Sequence, residues 1–150
     1  MSELPGIIYT LGSSNRSPEE FLGLLEAFAI QVVIDVRRFP TSRFEHFRQQ
    51  NLAALLSEKG IGYLYLGTEL GGYRSGGYEA FMASEQFMDG LERLEESAKA
   101  KKAVILCSER LPWRCHRRFI SRQLLRRGWR VSHVIDEKRS WEPKLQVAAE

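Results

Sequence analysis

Two apolar runs, Val32-Val-Ile-Asp-Val36 and Ala103-Val-Ile-Leu-Cys107, constrain this chain more than any other feature. Both are rich in β-branched residues and too short for a typical helix, so each predicts a buried strand. Shorter signals of the same kind occur at Gly6-Ile-Ile-Tyr-Thr-Leu-Gly12, Ile61-Gly-Tyr-Leu-Tyr-Leu66 and Val131-Ser-His-Val-Ile135. Helical patterns separate them. Ser17-Pro-Glu-Glu20 offers an N-cap hydroxyl, a proline in the first turn and a glutamate three residues after the cap. Further helices are expected from about Asn51 to Lys59, closed by Gly60; from Tyr78 to Lys101, broken near Ser84 or Gly90; and from Cys115 to Arg127, stopped by Gly128. Strands that alternate with helices pair in parallel, because a right-handed crossover needs the intervening helix to cover a face. The expected fold is therefore α/β, a three-layer α/β/α sandwich with a mainly parallel sheet of about five strands. Residues 137–150 carry no strong period and read as a tail.

A chain of 150 residues with 43% hydrophobic content fills one core, so a single α/β domain over 1–150 is expected. No apolar run approaches the ~20 residues needed to span a bilayer. The start, Met1-Ser2-Glu3-Leu4-Pro5, lacks a basic region followed by an apolar one, and a cytoplasmic location with no membrane partner follows as the expectation. Cys107 and Cys115 fall in one stretch rather than joining distant ones, which favours reduced thiols. The net charge is only +3, yet arginines crowd the stretch from Arg110 to Arg130. Such a cluster attracts phosphate, or else forms a solvated basic helix face.

In open parallel sheets, ligands bind beyond the carboxyl ends of the strands. That rule gathers the polar residues into one candidate site: Ser13 and Asn15 after the first strand, Asp35, Arg37 and Arg38 after the second, Glu69, Gly71 and Gly72 after the third. The fourth strand adds Cys107, Glu109, Cys115, His116 and Arg117. Cys115 is the candidate nucleophile, since a helix start and nearby arginines lower a thiol pKa. Cys107 ends a strand and reads more readily as a packing residue. Asp35 or Glu109 would orient substrate or move a proton, although Asp35 has an alternative task in holding Arg37 or Arg38. Arg37, Arg38, Arg117 and His116 would contact the ligand, with Ser13, Asn15, Glu69, Gly71, Gly72 and Cys107 around it.

Several features carry bland readings. The interval from Cys107 to Cys115 is wider than a zinc-knuckle spacing, so no metal and no cofactor is expected. Gly71, Gly72, Gly76 and Gly77 lack the spacing of a phosphate-binding loop. Arg37, Arg38, Arg43, Phe44, His46, Phe47 and Arg48 interleave cations with rings, as a nucleic-acid surface would, but a loop packing its phenylalanines inward has the same pattern. Trp113 and Trp129 are expected to be packing anchors. The last helix should turn Phe119, Ile120, Leu124 and Leu125 inward and its arginines outward.

Thr10-Leu-Gly-Ser-Ser-Asn15, Asp35-Val-Arg-Arg-Phe-Pro40, Tyr63-Leu-Tyr-Leu66 with Glu69-Leu-Gly-Gly72, and Leu106-Cys-Ser-Glu109 with Cys115-His-Arg117 resemble the Domain of Unknown Function 488 family. The likeness covers about residues 7 to 136, and the motifs occur in the family's order. Members more often carry histidine where this chain has Ser13 or Ser14. The resemblance implies no particular reaction. A fainter likeness is to rhodanese-like domains, through Asp35-Val-Arg37 and a cysteine that ends a strand, with a longer loop after the cysteine here. The leading functional expectation is an enzyme acting on an anionic small molecule, a nucleotide, nucleic-acid component or other phosphorylated ligand. The alternatives are a non-catalytic nucleic-acid or nucleotide-binding module, and rhodanese-like sulfur transfer. The residues alone leave open whether the chain is catalytic.

Overall fold

The computed structural model describes residues 6–144. The apolar runs become strands and the amphipathic segments helices, in the order β1 (Ile7–Gly12), α1 (Pro18–Ala27), β2 (Val32–Asp35), α2 (Gln49–Glu58) and β3 (Gly62–Tyr65). Two short helices, α3 (Gly67–Leu70) and α4 (Tyr78–Phe81), precede α5 (Glu85–Ala100). Then come β4 (Ala103–Cys107), α6 (Arg117–Arg126), β5 (Arg130–Asp136) and β6 (Arg139–Trp141), with single 3-10 turns at Glu45–Phe47 and Pro112–Arg114.

The strands form one sheet in the order β3-β2-β4-β1-β5-β6. The first five in that row run parallel, and β6 returns antiparallel along β5. Gly12 pairs with Cys107 and Asp35 with Leu106, so β1, β2 and β4 end nearly level. One face of the sheet packs Ile34, Ile105 and Val131 against Phe87, Leu91 and Leu94 of α5 and Ile120 and Leu124 of α6. The other packs Val33, Val104 and Leu106 against Phe21, Leu24 and Leu25 of α1 and Leu52 and Leu56 of α2. The result is an α/β/α sandwich. Since α2 follows β2 on one face and α6 follows neighbouring β4 on the other, a crevice opens where the two strands end.

Local detail refines the sequence reading at several points. The sheet has six strands rather than about five, because β6 lies in the stretch read as a tail. Its three residues are all exposed and show no apolar alternation to reveal them; positions 145–150 of that stretch lie outside the described residues. The glycine-rich segment after β3 begins with a helical turn, α3. The helical break falls at Ser84, whose side chain caps α5 by accepting the Phe87 N–H. Gly90 instead sits inside α5, where a Cβ would come within 2.5 Å of Glu69 Cβ, so the glycine lets α3 and α5 pack closely. At α1 the cap is half of a capping box: Ser17 Oγ accepts the Glu20 N–H at 3.0 Å, while the Glu20 carboxylate is taken by Arg16 at 2.9 Å. No helix among the described residues is long and apolar enough to cross a membrane.

Candidate functional site

Cys107 is the last residue of β4, and the loop that follows climbs over the sheet edge before Arg117 starts α6. Gly12 makes that path possible, since a Cβ there would lie 1.8 Å from the Glu109 carbonyl oxygen. The return of the loop sets Cys115 Sγ 2.7 Å from Cys107 Sγ, with both thiols free. Arg117, fully buried, points its guanidinium back at the same place: Nη1 lies 3.2 Å from Cys107 Sγ, and Nη2 donates to the Arg110 carbonyl. Among the described residues its Nε–H has no partner and no ion pair includes it. An uncompensated buried guanidinium costs several kcal/mol, so the counter-charge has to be close. Cys107 is the group placed to supply it.

The thiols respond in opposite directions. Burial opposes the Cys107 thiolate, but the hydrogen bond from Cys115 and the Arg117 charge outweigh it and bring Cys107 down to about 7. Cys115 is pushed far up, first by its hydrogen bond to Cys107, then by burial. The pair therefore gives up its first proton more readily than an ordinary thiol does, because the Arg117 charge favours an anion there, and the proton that remains is shared between the two sulfurs. The helix start serves Cys115, whose sulfur accepts the Arg117 N–H at 3.5 Å, while the guanidinium lies against Cys107.

His116 completes the cluster. Its Nε2 lies 3.3 Å from the Val36 carbonyl oxygen, which can only accept, so that nitrogen carries the proton and Nδ1 is left as an acceptor 3.6 Å from Cys115 Sγ. Burial lowers its pKa to about 4, and the ring is neutral near pH 7. It is held between Gly72 and Tyr78.

A cavity of about 630 Å3 opens above the thiols, with Cys107, Cys115 and His116 in its floor and Arg38, Glu109 and Arg114 among its walls. Arg37 touches the cavity but is committed elsewhere. Its Nε and Nη2 donate to the two Asp35 oxygens at 2.9 and 2.8 Å, and Nη1 donates to the Phe47 carbonyl. Tyr63 donates its hydroxyl to Asp35 at 2.7 Å, and burial together with that carboxylate raises the Tyr63 pKa. This clamp fixes the loop after β2, from which Arg38 reaches across to the Tyr73 carbonyl. Arg114 is exposed, and no ion pair among the described residues includes it. Among the described residues no three His, Cys, Asp or Glu side chains are grouped to hold a metal ion.

The model of a family described as "Domain of unknown function DUF488" matches residues 17–124, well over half of the chain. The chain belongs to this family. The matched span holds the Asp35–Arg37 clamp, both thiols, His116 and Arg117, and it leaves β1, β5 and β6 outside, narrower than the 7 to 136 read from the motifs. No curated protein and no solved structure matches the chain.

Of the residues singled out in the sequence of this DUF488 member, Arg37, Arg38, Gly72, Cys107, Glu109, Cys115 and His116 border the one cavity. Asp35 and Arg117 stand behind it as partners of Arg37 and Cys107. Gly71 is buried against Arg38, and Glu69 turns away to Arg93. Ser13 and Asn15 sit over the end of β1, where Asn15 meets Arg110. Two expectations about packing fail. Arg117 points inward, not outward, and Trp113 is 50% exposed, whereas Trp129 is buried as an anchor should be. Sequence reasoning passed over Tyr78 as a site residue, took Arg114 only as one of a run of arginines, and placed Arg16 in the loop after β1 without a partner. Arg16 is buried and ties Gly12 to Ile135 through its Nε and Nη2, bracing the ends of β1 and β5. In sequence it looks like any turn arginine; only the glutamate four residues on hinted at a partner.

Proposed function

We propose that this chain is a thiol-dependent enzyme acting on an anionic ligand, a phosphorylated molecule or nucleotide component, held at the carboxyl edge of the sheet. The observation that carries the reading is the Cys107 sulfur, 3.2 Å from a buried Arg117 that has no carboxylate partner among the described residues, in the floor of a cavity with arginines in its walls. Cys107 is the nucleophile, held as thiolate near neutral pH. Cys115 shares a hydrogen bond with Cys107 that helps to hold the thiolate, and the neutral His116 ring, tied to the Val36 carbonyl, packs beside Cys115 in the floor. Arg38 and Arg114 meet the anionic group. Glu109, at the exposed lip of the cavity, orients the ligand, and Asp35 acts through Arg37 by fixing the loop that bears Arg38.

The test is protection from alkylation. Inorganic phosphate and adenosine monophosphate should each slow modification of Cys107 by iodoacetamide, read by peptide mass spectrometry. Arg114→Ala should abolish that protection without altering the unprotected rate. Equal rates with and without both anions, at concentrations well above those of ordinary metabolites, would remove the anionic-ligand reading.

A further inference from the structure

A second cleft, of about 770 Å3, lies on the other side of the Pro112–Arg114 turn, between the outer face of α6 and the β5–β6 edge. Its walls combine aromatic platforms with cations that enter no ion pair among the described residues. Trp113 and Trp141 are 50% and 46% exposed, and their rings meet edge to face with centroids 6.1 Å apart. Trp141 is backed by His133, stacked at 5.3 Å with an interplanar angle of 25°. His133 is itself locked from below, with Nδ1 2.6 Å from Thr10 Oγ1, and burial pushes its pKa down to about 3, so the ring is neutral. The platform is therefore rigid rather than a loose surface ring.

Along α6, Arg118, Arg122 and Arg126 recur every fourth residue and so form one stripe, with successive guanidinium origins about 6 Å apart along the axis. All three line the cleft, and none takes part in an ion pair among the described residues. Arg118 and Arg122 both lie over the Phe119 ring, at 4.6 and 5.5 Å, and Arg118 also donates to the Trp113 carbonyl. These contacts hold Arg118 and Arg122, and Arg126 lines the cleft one turn further along α6. The carboxylate in the cleft, Glu142, is already taken by Arg130 through two hydrogen bonds, at 3.2 and 2.8 Å.

We propose that this cleft binds single-stranded nucleic acid, with bases stacked on Trp113 and Trp141 and the backbone phosphates tracked by Arg118, Arg122 and Arg126. Stacking platforms beside a cationic groove are what a strand without base pairs needs, because every base presents a π face and every phosphate a charge. A duplex hides its base faces and cannot use the tryptophans. The inference is independent of the thiol chemistry proposed above, since it uses none of the Cys107 cavity.

The test is fluorescence anisotropy with a labelled single-stranded oligothymidylate, with the same strand annealed to its complement as competitor. Single strands should bind and the duplex should compete weakly. Trp141→Ala and Trp113→Ala should each weaken binding roughly tenfold. Arg122→Ala should lower the salt slope by about 0.7. All three positions are exposed. Lys59→Glu, next to β3 at the far edge of the sheet, should change affinity far less than Arg122→Glu. The proposal is overturned if no anisotropy change occurs, if duplex binds as well as single strand, if the tryptophan variants bind like the parent, or if Lys59→Glu and Arg122→Glu weaken binding equally. Because Arg114→Ala leaves this cleft intact, failure of anion protection at Cys107 and failure here are separable outcomes.

Discussion

Arg117 and Cys107 face each other inside the protein, Nη1 to Sγ at 3.2 Å, with neither more than 1% exposed. A charge in that position is tolerated only with an opposite charge beside it, and the sulfur is the group in reach. Cys107→Ala should therefore destabilise the fold by about 3–5 kcal/mol, more than the loss of so small a side chain, because it strands the guanidinium. Arg117→Met added to it should recover much of the loss. Urea denaturation of the parent, both single variants and the double variant gives the coupling directly, and simple additivity would contradict a charged pair.

Asp35 and Arg37 make the same argument with a conventional pair, both buried and joined by two hydrogen bonds between their side chains and a third from the Arg37 backbone N–H, with Tyr63 as a third member. Asp35→Asn keeps the shape but removes the charge, and an expected loss of about 3–5 kcal/mol follows from the stranded arginine. The urea midpoint reads it. Because the clamp fixes the loop bearing Arg38, protection of Cys107 by phosphate should also fall in this variant.

Why some of this was legible in the sequence and some was not follows from range. Val32–Asp35 and Ala103–Cys107 declare themselves locally, because a short β-branched run has few other structures open to it, and their burial on both faces implied helices on each side. The carboxyl-edge rule then drew together loops of which those after β2, β3 and β4 border one cavity, while Ser13 and Asn15 of the loop after β1 do not. What it could not supply was the direction of individual side chains. Arg117 stands in a run of arginines and its inward turn depends on the Cys107–Cys115 loop passing overhead; Arg16 depends on the Ile135 carbonyl more than a hundred residues away. β6 was invisible because its residues are exposed and it exists only by pairing with β5.

Two histidines set the acid limit of stability. Burial lowers His116 to about 4, and burial with the Arg117 charge lowers His133 to about 3, both from 6.5. Between 6.5 and those values the unfolded chain binds more protons than the folded one, so stability rises with pH there and is lost as pH falls from about 6.5 toward about 4 and below. Each unit by which folding lowers a histidine pKa corresponds to about 1.4 kcal/mol, so the direction of the acid slope is set by both rings together. Urea midpoints across that range should show a steep acid slope, flattened in His133→Gln; an unchanged slope would mean that the His133 ring is not held neutral.

Gly12→Ala tests the packing of the loop over the site. The added carbon would meet the Glu109 carbonyl oxygen at 1.8 Å, and main chain cannot swing aside as a flexible side chain does. A loss of about 1–3 kcal/mol or more is expected in thermal denaturation. Displacement of Glu109 should also open the thiol pair, seen as faster alkylation of Cys115. A variant as stable as the parent would show that the loop takes another path.

The ionisation of Cys107 bears most directly on the account, and thiolate ultraviolet absorbance measures it without requiring a reagent to reach the sulfur. Titrating the parent alongside Cys107→Ser, Cys115→Ser and Arg117→Met assigns each step. The prediction is a transition near pH 7 in the parent that disappears in Cys107→Ser and moves upward in Arg117→Met. A parent whose first thiolate appears only near the ordinary value of about 8.5, or appears at Cys115, would contradict it.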